Sequence, residues 1–172
     1  RTLALRRTFI RRDTIAIARR CFRVDLNLRP EGRNGALVRT LASYEAYWDR
    51  WAEPWEFQAL FKARAVAGDE ALGRAFDESA SNHLWSRPLT AENLRAIRTM
   101  KARAEAEVAR KGLSEREIKL GPGGIRDVEF AVQLLQLVHG GADPELRVRS
   151  TLAALAELAD AGYVNRHDAD QL

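Results

Sequence analysis

The 172-residue chain has one cysteine, Cys21, and only three scattered histidines. A lone thiol cannot close an internal disulfide, and these residues supply neither a cysteine-based zinc site nor a metal-ligand cluster of the usual spacing. Long apolar runs are missing too. None is long enough to cross a bilayer, and the arginine-rich start is not followed by an apolar stretch with a cleavage site. These features predict a cytoplasmic protein with no membrane partner. Internal repeats and low-complexity linkers are absent as well. What remains is an ordinary globular composition, 46% hydrophobic and 30% charged, suited to one domain or one domain with a remnant of another.

Positive charge is plentiful but uneven. The first twenty residues hold seven arginines and one acid, Asp13, so they contribute +6 to the formal net charge of +4 and leave the rest at −2. Binding a phosphate backbone needs clustered positive charge on the folded body, so nucleic acid is not an expected partner. The basic start reads as a solvated or truncated segment.

The first informative stretch is Val24-Asp25-Leu26-Asn27-Leu28-Arg29-Pro30-Glu31-Gly32. Period-2 alternation predicts a short strand with Val24, Leu26 and Leu28 on one face and Asp25 displayed on the other. Pro30 and Gly32 then end it. A displayed aspartate beside an arginine-bearing turn suits a nucleotide site, and a solvated edge strand is the plain alternative.

Beyond Gly35 the pattern is helical. Leu41, Tyr44, Tyr47, Trp48 and Trp51 recur at helical spacing, and Pro54 opens a second helix with Trp55, Phe57, Leu60 and Phe61. Aromatics at this spacing are expected to form core rather than a base-stacking surface. Asp69 and Thr90 are expected to cap the third and fourth helices, the latter reaching Gly112. A short Ile118-Lys119-Leu120 strand and a Gly121-Pro122-Gly123-Gly124 turn lead into a fifth helix ending at Gly140. Ser150 and Gly162 bracket a sixth, and Asn165 opens a seventh.

Two places carry charges that packing must accommodate. On the Pro54 helix, Glu56, Lys62 and Arg64 lie among apolar residues. They suit either a structural ion pair or, for the two cations, phosphate oxygens. On the fifth helix, Ile125, Val128, Val132, Leu135 and His139 form a stripe, with Glu129 and Gln136 on its border and Asp127 opposite. The glycine turn ahead of it would present backbone amides to an anion, close in sequence to Lys119 and Arg126. Taken alone it is expected to be a simple loop, since it lacks the lysine and hydroxyl spacing of a P-loop.

Together, Val-Asp-x-x-Leu-Arg-Pro-x-Gly at 24–32, Trp-Glu-x-x-Ala-x-x-Lys-Ala-Arg at 55–64 and Ile-Lys-Leu-Gly-Pro-Gly-Gly-Ile-Arg-Asp-Val-Glu-Phe at 118–130 resemble the bifunctional glutamine synthetase adenylyltransferase/deadenylylase family. The last motif is the most specific, and the resemblance extends over residues 22–172. It implies a mainly α fold, in which a helical bundle domain (39–172) follows a remnant (22–38, one or two strands) of an α/β nucleotidyltransferase domain, with residues 1–21 an unmatched basic segment. It also implies transfer of AMP from ATP to a tyrosine of glutamine synthetase, or its removal by phosphate to give ADP, under a PII signalling protein and with Mg2+. The Lys-Leu-Gly-Pro-Gly-Gly-Ile-Arg form is closer to the AMP-removing half.

By the same resemblance Asp25 is the third metal-binding, catalytic carboxylate. Arg29, Glu56, Lys62 and Arg64 lie around nucleotide or phosphate, and Lys119, Arg126, Asp127 and Glu129 complete the cleft from the helical side. The family's Gly-Ser-x-x-Asp-x-Asp signature is absent from the chain, and Asn27 stands where an arginine is common. The expectation is a fragment that is catalytically incomplete by itself, with a noncatalytic module binding glutamine synthetase or PII as the alternative.

Overall fold

The computed structural model describes residues 2–3, 25–87, 89–110 and 118–171. Among them are seven α-helices: α1 (Leu41–Arg50), α2 (Pro54–Leu60), α3 (Glu70–Trp85), α4 (Ala91–Arg110), α5 (Ile125–His139), α6 (Thr151–Asp160) and α7 (Arg166–Ala169). Extended structure is limited to β1 (Thr2–Leu3) and β2 (Arg39–Thr40), paired antiparallel with Thr2 opposite Thr40. The mainly helical expectation holds.

Helix starts follow the local chemistry. The side chains of Thr40, Asp69, Thr90, Ser150 and Asn165 each accept a backbone N–H from the first turn that follows. Each satisfies a donor that would otherwise be orphaned at a helix start. At α2 the reciprocal bond comes from within the helix, where Glu56 Oε1 accepts the Glu53 amide at 3.1 Å. Gly162, with φ +78°, follows α6 where the chain leaves the helix.

Two strand expectations are overturned. Leu26 and Asn27 form a turn and Leu28 a bend, because Asp25 Oδ1 accepts the Asn27 amide at 2.9 Å and the Arg29 guanidinium binds the Leu26 carbonyl. These side-chain bonds give the backbone an alternative to a ladder. Leu26 and Leu28 are exposed, so the alternation has no core to face. Ile118–Leu120 are likewise a turn. Cys21, Val24 and Gly112 lie outside the described residues.

The chain divides into two compact units. The first comprises the described residues up to Ala52 together with Ala65–Ser79; the second comprises Glu53–Arg64 and the described residues from Ala80 onward. In the first, Trp48 is buried and packs with Tyr44 and Phe76, ring centroids 5.4–5.6 Å apart. Burial raises the Tyr44 hydroxyl pKa, while Arg39 and Arg29 act in the opposite direction. Trp51 and Trp55 are exposed, so the expected aromatic core is smaller than the spacing suggested. In the second unit Val132, Leu146, Ala154, Leu155 and Leu158 form an aliphatic cluster between α5, α6 and the 3-10 turn Pro144–Leu146.

Candidate functional site

In the first unit, Asp25 is exposed and its Oδ1 takes the Asn27 amide. Arg29 folds back on its own loop. Its Nε donates to Gly35 O at 3.0 Å, one terminal nitrogen to Leu26 O and the other to Arg33 O at 3.3 Å. The guanidinium fork therefore binds three carbonyls and shapes the loop that displays Asp25. Gly35 is required at this bend, since a Cβ there would lie 1.9 Å from Pro30 O. Arg39 pairs with Glu31 and lies over the Tyr47 ring at 5.6 Å.

In the second unit the motif at 118–130 closes on itself. The amides of Gly124, Ile125, Arg126 and Asp127 donate to the carbonyls of Gly121, Ile118, Lys119 and Gly124 at 2.9–3.0 Å. The Gly123 amide donates to Asp127 Oδ2 at 2.8 Å. The turn is the simple loop expected of it rather than an anion cradle, because those amides are committed to backbone carbonyls and to an internal carboxylate. Gly124 permits the closure, as a Cβ would sit 2.5 Å from Ile118 O and 2.8 Å from Gly121 O.

Asp127 also binds Lys101 Nζ of α4 at 2.9 Å, and Lys101 pairs in turn with Glu105. The Lys101 hydrogen bond, followed by the Gly123 amide, holds the Asp127 carboxyl below its usual range. Glu105 and then Asp127 raise the pKa of Lys101. Lys119 is exposed, and the Arg126 guanidinium lies 5.8 Å from the Phe130 ring centroid. The structure thus brings Lys119, Arg126, Asp127 and Glu129 together on one turn and the first turns of α5.

Lys62, just beyond α2, spans three elements. Its Nζ donates to Arg149 O at 2.7 Å and Thr151 Oγ1 at 2.9 Å, and lies 3.6 Å from Glu129 Oε1. Two of the ammonium's three protons are used in these hydrogen bonds, and the Glu129 carboxylate is an ion-pair partner beyond hydrogen-bond length. Glu56 serves the start of α2, and Arg64 is exposed.

Two buried residues next to this cation were not read from the sequence. Gln58, 3% exposed, donates from Nε2 to Oε1 of Gln133, 5% exposed, at 2.9 Å. Gln133 Nε2 faces Glu129 Oε1 at 3.5 Å. The only available signal was position, one helical turn from Glu129 for Gln133 and from Lys62 for Gln58, and a single amide on an apolar helix rarely stands out. No group of three or more His, Cys, Asp or Glu side chains able to hold a metal ion occurs among the described residues. Asp25 is thus a single carboxylate, and the described residues do not by themselves fit a magnesium centre.

Sequence comparison gives the same family that the motifs suggested. Residues 7–79 match the family described as glutamate-ammonia ligase adenylyltransferase, and residues 96–172 match the GlnD PII-uridylyltransferase family. The bifunctional glutamine synthetase adenylyltransferase/adenylyl-removing enzyme of Streptomyces avermitilis is 56% identical over 149 residues, 87% of this chain and 15% of that protein. The enzyme of the same name from Corynebacterium efficiens is 52% identical over 151 residues, 88% of this chain and 14% of its own length. That from Mycolicibacterium smegmatis is 53% identical over 148 residues, with 86% and 15% covered. The resemblance holds across most of the chain, which spans about 15% of the length of the relatives it matches.

Proposed function

We propose that this chain, a relative of the bifunctional glutamine synthetase adenylyltransferase/adenylyl-removing enzymes, carries the helical side of a nucleotidyl-transfer cleft. The observation behind this reading is the 56% identity over 149 residues, a span that includes all or most of each of the three motifs. In the adenylyl-removing direction, which the Lys119–Arg126 motif favours, an oxygen of inorganic phosphate attacks the AMP phosphorus on a tyrosine of glutamine synthetase. The bond to the tyrosine oxygen breaks, the tyrosine takes a proton and ADP leaves. Adenylylation is the opposing transfer, from ATP to the same hydroxyl.

On this reading Asp25 is the acidic contribution of the 22–38 segment, held on display by Arg29. Lys119 and Arg126 face phosphate oxygens, and Asp127 fixes the turn that carries them. Residues 39–172 form the helical domain, PII signalling protein and glutamine synthetase are the partners, and the cytoplasm is the location. Magnesium belongs to the parent reaction through carboxylates additional to Asp25. The test is ADP release from adenylylated glutamine synthetase with inorganic phosphate and Mg2+. The isolated chain is expected to release none. A polypeptide in which a Gly-Ser-x-x-Asp-x-Asp strand precedes the segment should do so and should lose activity with Asp25→Ala. Asp25-dependent turnover by the isolated chain would overturn the incomplete-fragment reading.

A second reading, a noncatalytic module that docks glutamine synthetase or a PII protein, draws support from how fully Arg29, Lys62 and the glycine turn are used within the fold. It predicts that the isolated chain binds one of these proteins and that Asp25→Ala leaves this binding intact.

A further inference from the structure

The motif at 118–130 carries two acids, Asp127 and Glu129, and two cations, Lys119 and Arg126. Each acid is met by a lysine from outside the motif, Asp127 by Lys101 of α4 at 2.9 Å and Glu129 by Lys62 at 3.6 Å. The two cations have no carboxylate partner among the described residues. The Arg126 amide donates to the Lys119 carbonyl at 3.0 Å, so their backbones lie side by side. Lys101 reaches this arrangement through one side chain. Asp127 Oδ1 takes its ammonium, while Oδ2 accepts the Gly123 amide at 2.8 Å, and the carboxylate thereby links α4 to the glycine turn. Gly123 has φ +73°, and a Cβ there would meet nothing within 4 Å. Its amide bond to Asp127 is a restraint that packing does not replace.

The Lys101–Asp127 pair is partly exposed, and such a pair adds little to stability. What it adds is geometry, because an ammonium on a twenty-residue helix fixes where the carboxylate sits. Glu105, one turn further along α4, also pairs with Lys101 and helps hold it there. We infer that Lys101 is a positioning residue: through Asp127 it sets the turn at 121–124 and with it the paired placement of Lys119 and Arg126. This role rests on the reading of those two cations as phosphate-facing, and it brings a residue of α4, outside the motif, into what builds that face. It also keeps Asp127 occupied, so that the carboxylate does not neutralise the cations beside it.

The link to the turn is tested on the chain by NMR of backbone amides. Lys101→Met keeps the stem without the charge; it should shift the Gly123 amide signal and speed its exchange about tenfold, with Tm unchanged. Lys101→Arg still donates to Asp127 and should keep the wild-type signal. Glu105→Gln removes only the partner on α4 and should leave Gly123 in place. An unmoved Gly123 amide in Lys101→Met overturns the inference, as does an equal change in Glu105→Gln. The role in transfer is read in the longer polypeptide that carries a Gly-Ser-x-x-Asp-x-Asp strand ahead of the segment. There Lys101→Met should raise the KM for inorganic phosphate about tenfold and leave the KM for adenylylated glutamine synthetase unchanged, with Lys101→Arg restoring it. Equal changes in both KM values, or a parallel fall in Tm, would mean a merely structural pair and overturn the inference. Lys119→Ala and Arg126→Ala test the reading beneath it. If neither raises the KM for phosphate, the phosphate-facing assignment fails, and the Gly123 amide still decides whether Lys101 sets the turn.

Discussion

The two compact units satisfy their backbone and side-chain polar groups in different ways. In the first, Arg29 reaches out to three carbonyls of an exposed loop, beside a core built on the rings of Trp48, Tyr44 and Phe76. The second unit buries its amides within an aliphatic core. Gln136, 2% exposed, donates to Leu146 O at 2.5 Å and Val148 O at 2.9 Å, and Gln58 and Gln133 lie behind Glu129. One charged fork can serve a solvated loop because water meets whatever geometry it misses. A buried amide has no such reserve, so its partners must be built into the helices. The first family match ends at residue 79, the last of the first unit, but it also takes in Glu53–Arg64 of the second.

The contrast is most sharply tested in the cores. Trp48→Ala should cost about 3–5 kcal/mol, since a buried ring with two aromatic neighbours leaves a cavity that cannot readily collapse. Amide exchange in α1 should accelerate accordingly. Leu158→Ala, at a fully buried aliphatic position, should cost about 2–5 kcal/mol in urea unfolding, with exchange accelerated in α5 and α6. Equal acceleration throughout both units by either variant would break the comparison.

Closures of the turns come next. Gly35→Ala and Gly124→Ala each force a Cβ against a backbone carbonyl, at 1.9 Å and 2.5 Å respectively, and should cost about 1–3 kcal/mol. Gly124→Ala should also release the Ile125 and Arg126 amides to exchange. The smallest effect is expected for Asp127→Asn, below about 1 kcal/mol, because its partly exposed pair with Lys101 is screened by solvent.

That last effect has a defined pH window. The Asp127 pKa is lowered in the fold, so its contribution is present above the ordinary aspartate value of about 4 and is lost as pH falls through the lowered value. The Lys101 pKa is raised, so its contribution is present below about 10.4 and is lost as pH rises through the raised value. The difference between wild type and Asp127→Asn should therefore be constant near neutrality and vanish at strongly acidic pH. A difference that persists there would locate the effect in packing rather than charge.

Much of the helical framework was legible because its signals are local. Asp69, Thr90, Ser150 and Asn165 act as caps through bonds to residues two or three positions away, which sequence spacing alone specifies. The expected strand at 24–28 failed for an equally local reason, since Asp25 and Arg29 bind nearby backbone more readily than an edge strand finds a partner. The candidate site was half legible. Lys119, Arg126, Asp127 and Glu129 stand within one motif, whereas Gln58 meets Gln133 across 75 positions and Lys62 meets Thr151 across 89.

By itself the sequence determined the helices, their caps, the glycine turn and the family resemblance, all of which depend on residue type and short spacing. Only the tertiary structure decided that the turn's amides are already used, that Trp51 and Trp55 face solvent, and that Lys62 donates to the Arg149 carbonyl and to Thr151 at the start of α6 while pairing with Glu129 of α5. The physical reason is that a donor's availability depends on every acceptor within about 3 Å, including those brought from distant parts of the chain.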